Sequence, residues 1–322
     1  MTQPSISIAD LERAAERLRG RVRVTPMLSP APVRESVPGD PALTLKLECL
    51  QVTGSFKARG ALNALLALPE GARERGLITA SGGNHGLAVA YAGWSAGVPA
   101  TVYLPTSAPE HKAVGIAAWG ARVVREGTAW DDANRAALAE AQRSGSTYIH
   151  PFADREVIAG QGSLGLEILQ QAPEVETLVV AIGGGGLISG LALAAAARSA
   201  VGKPIRVVGV EPLGAPTLHA SLRAGQIIEL ERLDTVANTL APRRSAEINF
   251  EIVRENVEDI VLVSDDEMRL AARWLWREAG VAAELSGAAA LAALLTGRLP
   301  VRRGEQVCVL VCGAGADGFG AY

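Results

Sequence analysis

The segment Thr53-Gly-Ser-Phe-Lys-Ala-Arg-Gly60 sets Lys57 just inside the start of a helical run that follows the strand-like Leu43 to Leu47. A lysine in the first helical turn meets the positive end of the helix macrodipole, about +0.5 charge. That favours the neutral amine and lowers its pKa from the ordinary ~10.4. A neutral amine can attack a carbonyl carbon, which is what imine formation needs. Of the 31 basic residues only Lys46, Lys57, Lys112 and Lys203 are lysines; the other 27 are arginines. Arginine cannot surrender its proton in a protein, so a lysine kept among arginines suits a task that requires an amine. A solvent-facing lysine is the plain alternative.

Three further segments have the residue types of a ligand site. Ser81-Gly-Gly-Asn-His-Gly86 directly follows the strand-like Leu77 to Ala80. Its glycines let peptide N–H groups approach a ligand, and the helix start behind them favours an anion such as a carboxylate. Asn84 can donate to an oxygen; His85 taken alone is more often structural. Gly183-Gly184-Gly185-Gly186-Leu187 follows an apolar strand and precedes a helix. Four glycines in a row suit a backbone nest for a phosphate. A dinucleotide fold is the rival, with Glu211 at the end of the next strand as its ribose acid, although Ser189 stands where G-x-G-x-x-G requires glycine. Cys312-Gly-Ala-Gly315 ends the last strand-like run and offers a thiol beside flexible backbone. The bland reading is a buried cysteine acting as a small apolar residue.

These segments need a frame to hold them. Ser7 and Asp10 cap a first helix on which Ile8, Leu11, Ala15 and Leu18 recur at helical spacing. A Pro-rich connector runs from Thr25 to Pro41. Short β-rich runs then alternate with helical ones: strands at 77–80, 100–104, 121–125, 147–150, 177–182, 205–210, 258–263 and 306–312. Such alternation predicts an α/β fold of parallel sheets covered by helices. In open parallel sheets, ligands bind at the carboxyl ends of strands, where all four segments fall.

Composition bounds the remaining possibilities. With 31 basic and 34 acidic residues, net charge −3, there is no basic surplus for nucleic acid or anionic lipid. The 48% hydrophobic content excludes disorder. Three cysteines, Cys49, Cys308 and Cys312, are too few for a disulfide framework and suit a reducing cytoplasm. The first 20 residues have no apolar stretch of signal-peptide type, and no uncharged run is long enough to span a bilayer.

Taken together, the segments resemble the fold-type II pyridoxal-phosphate enzymes, and within them the serine/threonine dehydratase (threonine ammonia-lyase) and serine racemase group. The resemblance rests on Lys46-Leu-Glu48 with Gln51, Thr53 to Gly60, Thr79 to Gly86, His150-Pro-Phe152, Val157-Ile-Ala-Gly-Gln-Gly162, the four glycines and Gly209-Val-Glu-Pro212. It covers nearly the whole chain, from Thr25-Pro26 to the C-terminal strand. It implies a tryptophan-synthase-β-like fold of two open, twisted, mainly parallel sheets. Residues 1–67 and 152–322 would form a large cofactor domain and 68–151 a small domain bearing the carboxylate loop. It also implies roles. Lys57 would bind pyridoxal 5'-phosphate covalently and shuttle the α-proton, with Phe56 near the ring. Gly183, Gly184, Gly185, Gly186 and Leu187 would bind the phosphate. Asn84 would donate to the ring hydroxyl, and Ser81, Asn84 and His85 would take the substrate carboxylate. Cys312 would face the pyridine nitrogen.

The expected activity is β-elimination of water from L-threonine, L-serine or a related 3-hydroxy amino acid, giving a 2-oxo acid and ammonia. A serine racemase or β-replacement synthase of the same fold is the alternative; a nicotinamide-dependent oxidoreductase and a non-catalytic sensor are more distant ones. Gly82 stands where racemase-like relatives carry serine, so dehydration without efficient racemisation is expected. Thr217 replaces an acidic residue where some relatives bind a divalent cation beside Glu211 and Ala215, so no metal is expected. Glu284-Leu-Ser-Gly287 resembles a Glu-Pro-Ser-Gly motif. Val236-Ala-Asn-Thr239 stands where many dehydratases read Ala-Asp-Gly, followed by Arg243-Arg244; a bulkier Thr239, or an arginine reaching the pocket, would alter the substrate. A cytoplasmic homodimer acting on an amino acid, without nucleic acid or membrane, completes the expectation. With residue 322 just after these motifs, no C-terminal amino-acid-sensing domain is expected.

Overall fold

A computed structural model describes residues 6–319. The strands are β1 (Met27–Leu28), β2 (Ala42–Lys46), β3 (Leu77–Ala80), β4 (Ala100–Leu104), β5 (Arg122–Arg125), β6 (Thr147–Tyr148), β7 (Thr177–Ala181), β8 (Arg206–Pro212), β9 (Asp259–Val263) and β10 (Gln306–Leu310). They form a six-stranded sheet in the order β1-β2-β10-β7-β8-β9 and a four-stranded sheet in the order β5-β4-β3-β6. Every pairing is parallel except the edge pair β1 and β2. The α/β class with two mainly parallel sheets is as the strand–helix alternation predicts.

Parallel sheets are covered on both faces, so their central strands read as continuous apolar runs. β7, TLVVA, is buried at all five positions. The helix Leu285–Leu295, LSGAAALAALL, is apolar all round and packs inside the larger core; a helix of that composition must be enclosed. The helix Trp130–Ser144 shows the opposite pattern, burying Ala133 and Ala137 and presenting its charged side to water.

The smaller sheet lies entirely between residues 77 and 148. Its core also takes Ala58, Ala61, Leu62 and Leu65 from the helix Lys57–Ala67. That helix therefore packs against the smaller lobe while its first residues run beside the larger sheet, where Ser55 bridges to Gly313. A buried ion network anchors it. Arg59 Nε donates to Glu48 Oε2 at 2.9 Å and Nη2 to Oε1 at 2.7 Å, and Nη2 also meets Glu167 at 3.0 Å. Lys46 Nζ donates to Glu167 at 2.6 Å. Lys46 is thus structural, and burial lowers its pKa.

Candidate functional site

Lys57 opens the helix Lys57–Ala67, as its sequence context predicts. Its amine donates to the carbonyl oxygen of Pro151 at 2.8 Å and lies 5.1 Å from the centre of the Phe56 ring. The residue is half-buried, so part of its surface stays open to a small molecule. Enclosure by protein lowers its pKa to about 8, against the opposing pull of Cys312 and Glu284. A lysine with this value is substantially neutral at mildly alkaline pH, which an imine-forming nucleophile requires.

The loop 81–83 carries the chain from β3 into the helix Asn84–Ala96. Ser81 Oγ accepts from the Gly83 peptide at 3.3 Å. His85 Nε2 lies 3.0 Å from the carbonyl oxygen of Ile149, which can only accept, so Nε2 bears the proton. Burial pushes His85 down to about 3, so the ring is neutral. Its Nδ1 is left as a buried acceptor without a partner.

The glycine quartet turns at Gly185, whose φ of +98° is left-handed and suits glycine. The helix Gly186–Ser199 begins there, and the peptide N–H groups of its first turn have no helical carbonyl to meet. Ser245 Oγ and Asn249 Nδ2 donate to the carbonyl oxygen of Gly184 at 2.9 and 3.1 Å, holding the loop's acceptor side against protein. A Cβ at Gly184 would come within 2.2 Å of the Phe152 ring, so only glycine admits that packing.

Residues 149–152 bring these segments together. Ile149 meets His85, Pro151 accepts from Lys57, and Phe152 lies against Gly184 and Gly186. His150 shapes the turn: its Nδ1 accepts from the peptides of Phe152 and Ala153 at 3.2 and 2.9 Å. Burial holds His150 down to about 4, so it stays an acceptor. The His150-Pro-Phe152 run was legible as a motif, but its bridging role was not.

Cys312 lies two residues beyond β10, buried, with Sγ donating to the carbonyl oxygen of Ser286 at 3.4 Å. Burial raises its pKa, so it is a neutral thiol. Asn84 donates from Nδ2 to Glu284 Oε1 at 2.7 Å, and the Thr239 hydroxyl hydrogen-bonds Ser286 Oγ. Glu284 and Ser286 carried no assigned role in the sequence.

The structure also places three groups raised as alternatives in the sequence. Arg243 does not reach toward the site; its guanidinium donates to the carbonyls of Leu230 and Glu231 at 3.0 and 2.8 Å, and Arg244 is exposed. Glu211 is not poised for a ribose. Its oxygens accept from the peptides of Leu218 and His219 at 2.8 and 2.9 Å, and burial pushes it up to about 8. Thr217 Oγ1 donates to the carbonyl of Pro242 at 2.8 Å. Glu211 and Thr217 are thus both engaged with backbone.

The site suits pyridoxal phosphate by its donor set. A glycine nest at a helix start answers a phosphate, and a neutral amine answers an aldehyde. The buried hydroxyls of Thr53 and Ser55, just before Lys57, have no protein partner and are available to a polar ligand.

Residues 18–313 match the family described as pyridoxal-phosphate dependent enzyme (PALP). An L-threonine ammonia-lyase from Thermotoga maritima is 38% identical over 97% of this chain and 76% of its own length. A phenylserine dehydratase from Ralstonia pickettii is 37% identical over 98% of this chain and 94% of its own. The solved structure of maize serine racemase superposes with a TM-score of 0.88 at 32% identity, covering 97% of this chain and 94% of that one.

Proposed function

The chain belongs to the family of pyridoxal-phosphate-dependent enzymes, and on that footing we propose that it removes water from L-threonine, L-serine or a related 3-hydroxy amino acid, releasing a 2-oxo acid and ammonia. It is a lyase of the ammonia-lyase kind. The observation that carries the reading is the convergence on residues 149–152 of an amine of lowered pKa, a glycine nest and the Ser81–His85 loop.

When bound, pyridoxal phosphate withdraws electron density from the substrate α-carbon. The protein does the rest. The peptides of Gly183 to Leu187 would hold the phosphate, Phe56 would pack near the ring, and Asn84 would offer an N–H to the ring hydroxyl. Ser81, Asn84 and His85, at the N-terminus of their helix, would take the carboxylate, His85 through its peptide N–H because its neutral ring has no N–H to spare. Lys57 in its neutral form accepts the α-proton. Cys312, a buried uncharged thiol, would face the ring nitrogen and could not keep a proton there as a carboxylate would. That would favour prompt loss of the β-hydroxyl over reprotonation of carbon.

Similarity to serine racemases makes racemisation the second reading. Gly82 argues against it, because the loop has no hydroxyl at that position to deliver a proton to the other face. We take residues 68–151 as the lobe bearing the carboxylate loop and residues 1–67 with 152–322 as the cofactor lobe; residues 1–5 and 320–322 lie outside the described structure. We further take the protein to act in the cytoplasm without nucleic acid or membrane, which the balanced charge and three free thiols support, and to act as a homodimer. Among the described residues no helix is long and apolar enough to cross a membrane.

The test is a keto-acid assay across threonine, serine, phenylserine and 3-hydroxyaspartate, with Lys57→Ala as control. Keto acid from the yellow wild-type protein, and neither colour nor product from the variant, is expected. Turnover retained by Lys57→Ala overturns the reading.

A further inference from the structure

Glu284 sits at the N-cap of the helix Leu285–Leu295, yet its side chain does not cap that helix. Asp317 takes over: its Oδ2 accepts from the Leu285 peptide at 2.8 Å. The Glu284 carboxyl is thereby released to reach across to the smaller lobe. There its Oε1 accepts from Asn84 Nδ2 at 2.7 Å, linking residues 200 positions apart. Close by, the hydroxyl of Thr239 hydrogen-bonds Ser286 Oγ, on the first turn of the same helix.

The path of this side chain is fixed by the backbone beneath it. A Cβ at Gly313 would fall 2.3 Å from Glu284 Oε1, and one at Gly315 would fall 2.7 Å from Glu284 Cα. The two glycines after Cys312 are therefore small because Glu284 lies on them.

Glu284 is half-buried, and its neighbours come from both lobes. Burial pushes its pKa up to about 7; Asn84, Lys112 and Thr239 oppose the rise and Asp317 adds to it. Lys57 and Cys312 also feel its charge. The bond from Asn84 does not depend on that charge, since a carboxyl group offers an acceptor oxygen whether ionised or protonated.

We propose that Glu284 is a positioning residue: by holding the Asn84 amide it fixes the first turn of the helix Asn84–Ala96, and with it the loop 81–83, against the Lys57 side of the site. The amide has a second N–H, which stays available to the cofactor ring hydroxyl. The inference rests on the reading that this loop takes the substrate carboxylate.

The experiment compares Glu284→Gln, Glu284→Ala and Asn84→Ala as holoenzymes. Glutamine keeps an acceptor oxygen for Asn84 and loses only the ionisable group. Glu284→Gln is expected to keep KM within roughly threefold of wild type and to leave the visible absorption band of the bound cofactor unmoved. Glu284→Ala leaves the Asn84 amide without its acceptor, so KM should rise roughly tenfold with a smaller change in kcat, and the band should shift. Asn84→Ala makes the same break from the other side and also removes the contacts of Asn84 itself, so adding Glu284→Ala to the Asn84→Ala enzyme should change little further.

A Glu284→Ala enzyme with wild-type KM and spectrum overturns the proposal. So do fully additive effects in the double variant, and so does a glutamine variant as damaged as the alanine one. The parent reading is scored separately, on whether wild type forms keto acid at all. The spectra of the Glu284 variants do not depend on that result.

Discussion

Pro151 and Lys57, 94 positions apart, meet through a hydrogen bond of 2.8 Å from the amine to the carbonyl oxygen. The bond holds the amine at the junction of the two lobes while leaving its lone pair, once the extra proton is lost, for an aldehyde.

That geometry gives a pH dependence. Enclosure lowers Lys57 from 10.5 to about 8, so the protonated amine is the form the folded protein disfavours. In cofactor-free protein, the rate of binding pyridoxal phosphate should climb nearly tenfold per pH unit below 8 and level off above it. Stopped-flow absorbance measures this directly. A plateau reached only near pH 10 would mean an ordinary lysine.

Gly82 has room for a larger residue. A Cβ there meets Leu104 Cδ2 at 3.4 Å and Lys112 Cδ at 3.9 Å, both ordinary contacts. Gly82→Ser should therefore fold and place a hydroxyl on the carboxylate loop. Wild-type enzyme incubated with L-serine is expected to yield keto acid with little D-serine, and the variant measurably more. Chiral chromatography decides it; rapid D-serine formation by wild type would sink the argument from Gly82.

Gly184 has no such room, with Phe152 at 2.2 Å from the added carbon. Gly184→Ala must displace the ring or the loop, and cofactor affinity should weaken by roughly tenfold or more, in line with overpacking costs of about 1–3 kcal/mol. Equilibrium titration with pyridoxal phosphate gives the value. Adding Phe152→Ala should recover part of the loss, and no recovery would mean that the clash is not the cause.

The Glu48–Arg59 pair is buried, with side chains at most 2% exposed. Glu48→Gln leaves a guanidinium enclosed with reduced compensation, although Glu167 remains nearby. Breaking such a pair from one side costs about 3–5 kcal/mol, and denaturant titration should show a loss at or below that range. An unchanged midpoint would assign the anchoring of the Lys57 helix to packing alone.

Local pattern carried much of this architecture into the sequence. The apolar run at 177–182 and the glycines after it read directly as strand and helix start, because both signals lie within a few residues. Lys57 was legible for the same reason. The two-residue β1 was hidden in the Pro-rich connector, since an edge strand so short has no alternation to display. The run at 306–312 overstates β10, which ends at Leu310, although Val311 still donates to the Lys46 carbonyl of β2 and accepts from Cys49. The partners of the site were the least legible. Pro151, Glu284 and Ser286 act through contacts 94, 200 and 47 positions away in the chain, and no periodicity encodes such distances.

The segment after the last strand does more than finish the chain. Gly313 bridges to Ser55, Ala314 donates to Gly54, and Asp317 caps the helix after Glu284. Two flanks of the reactive amine are therefore stitched together by this stretch. A protease nick within 313–317 would disarm the enzyme from behind, leaving its chemical groups intact but unmoored.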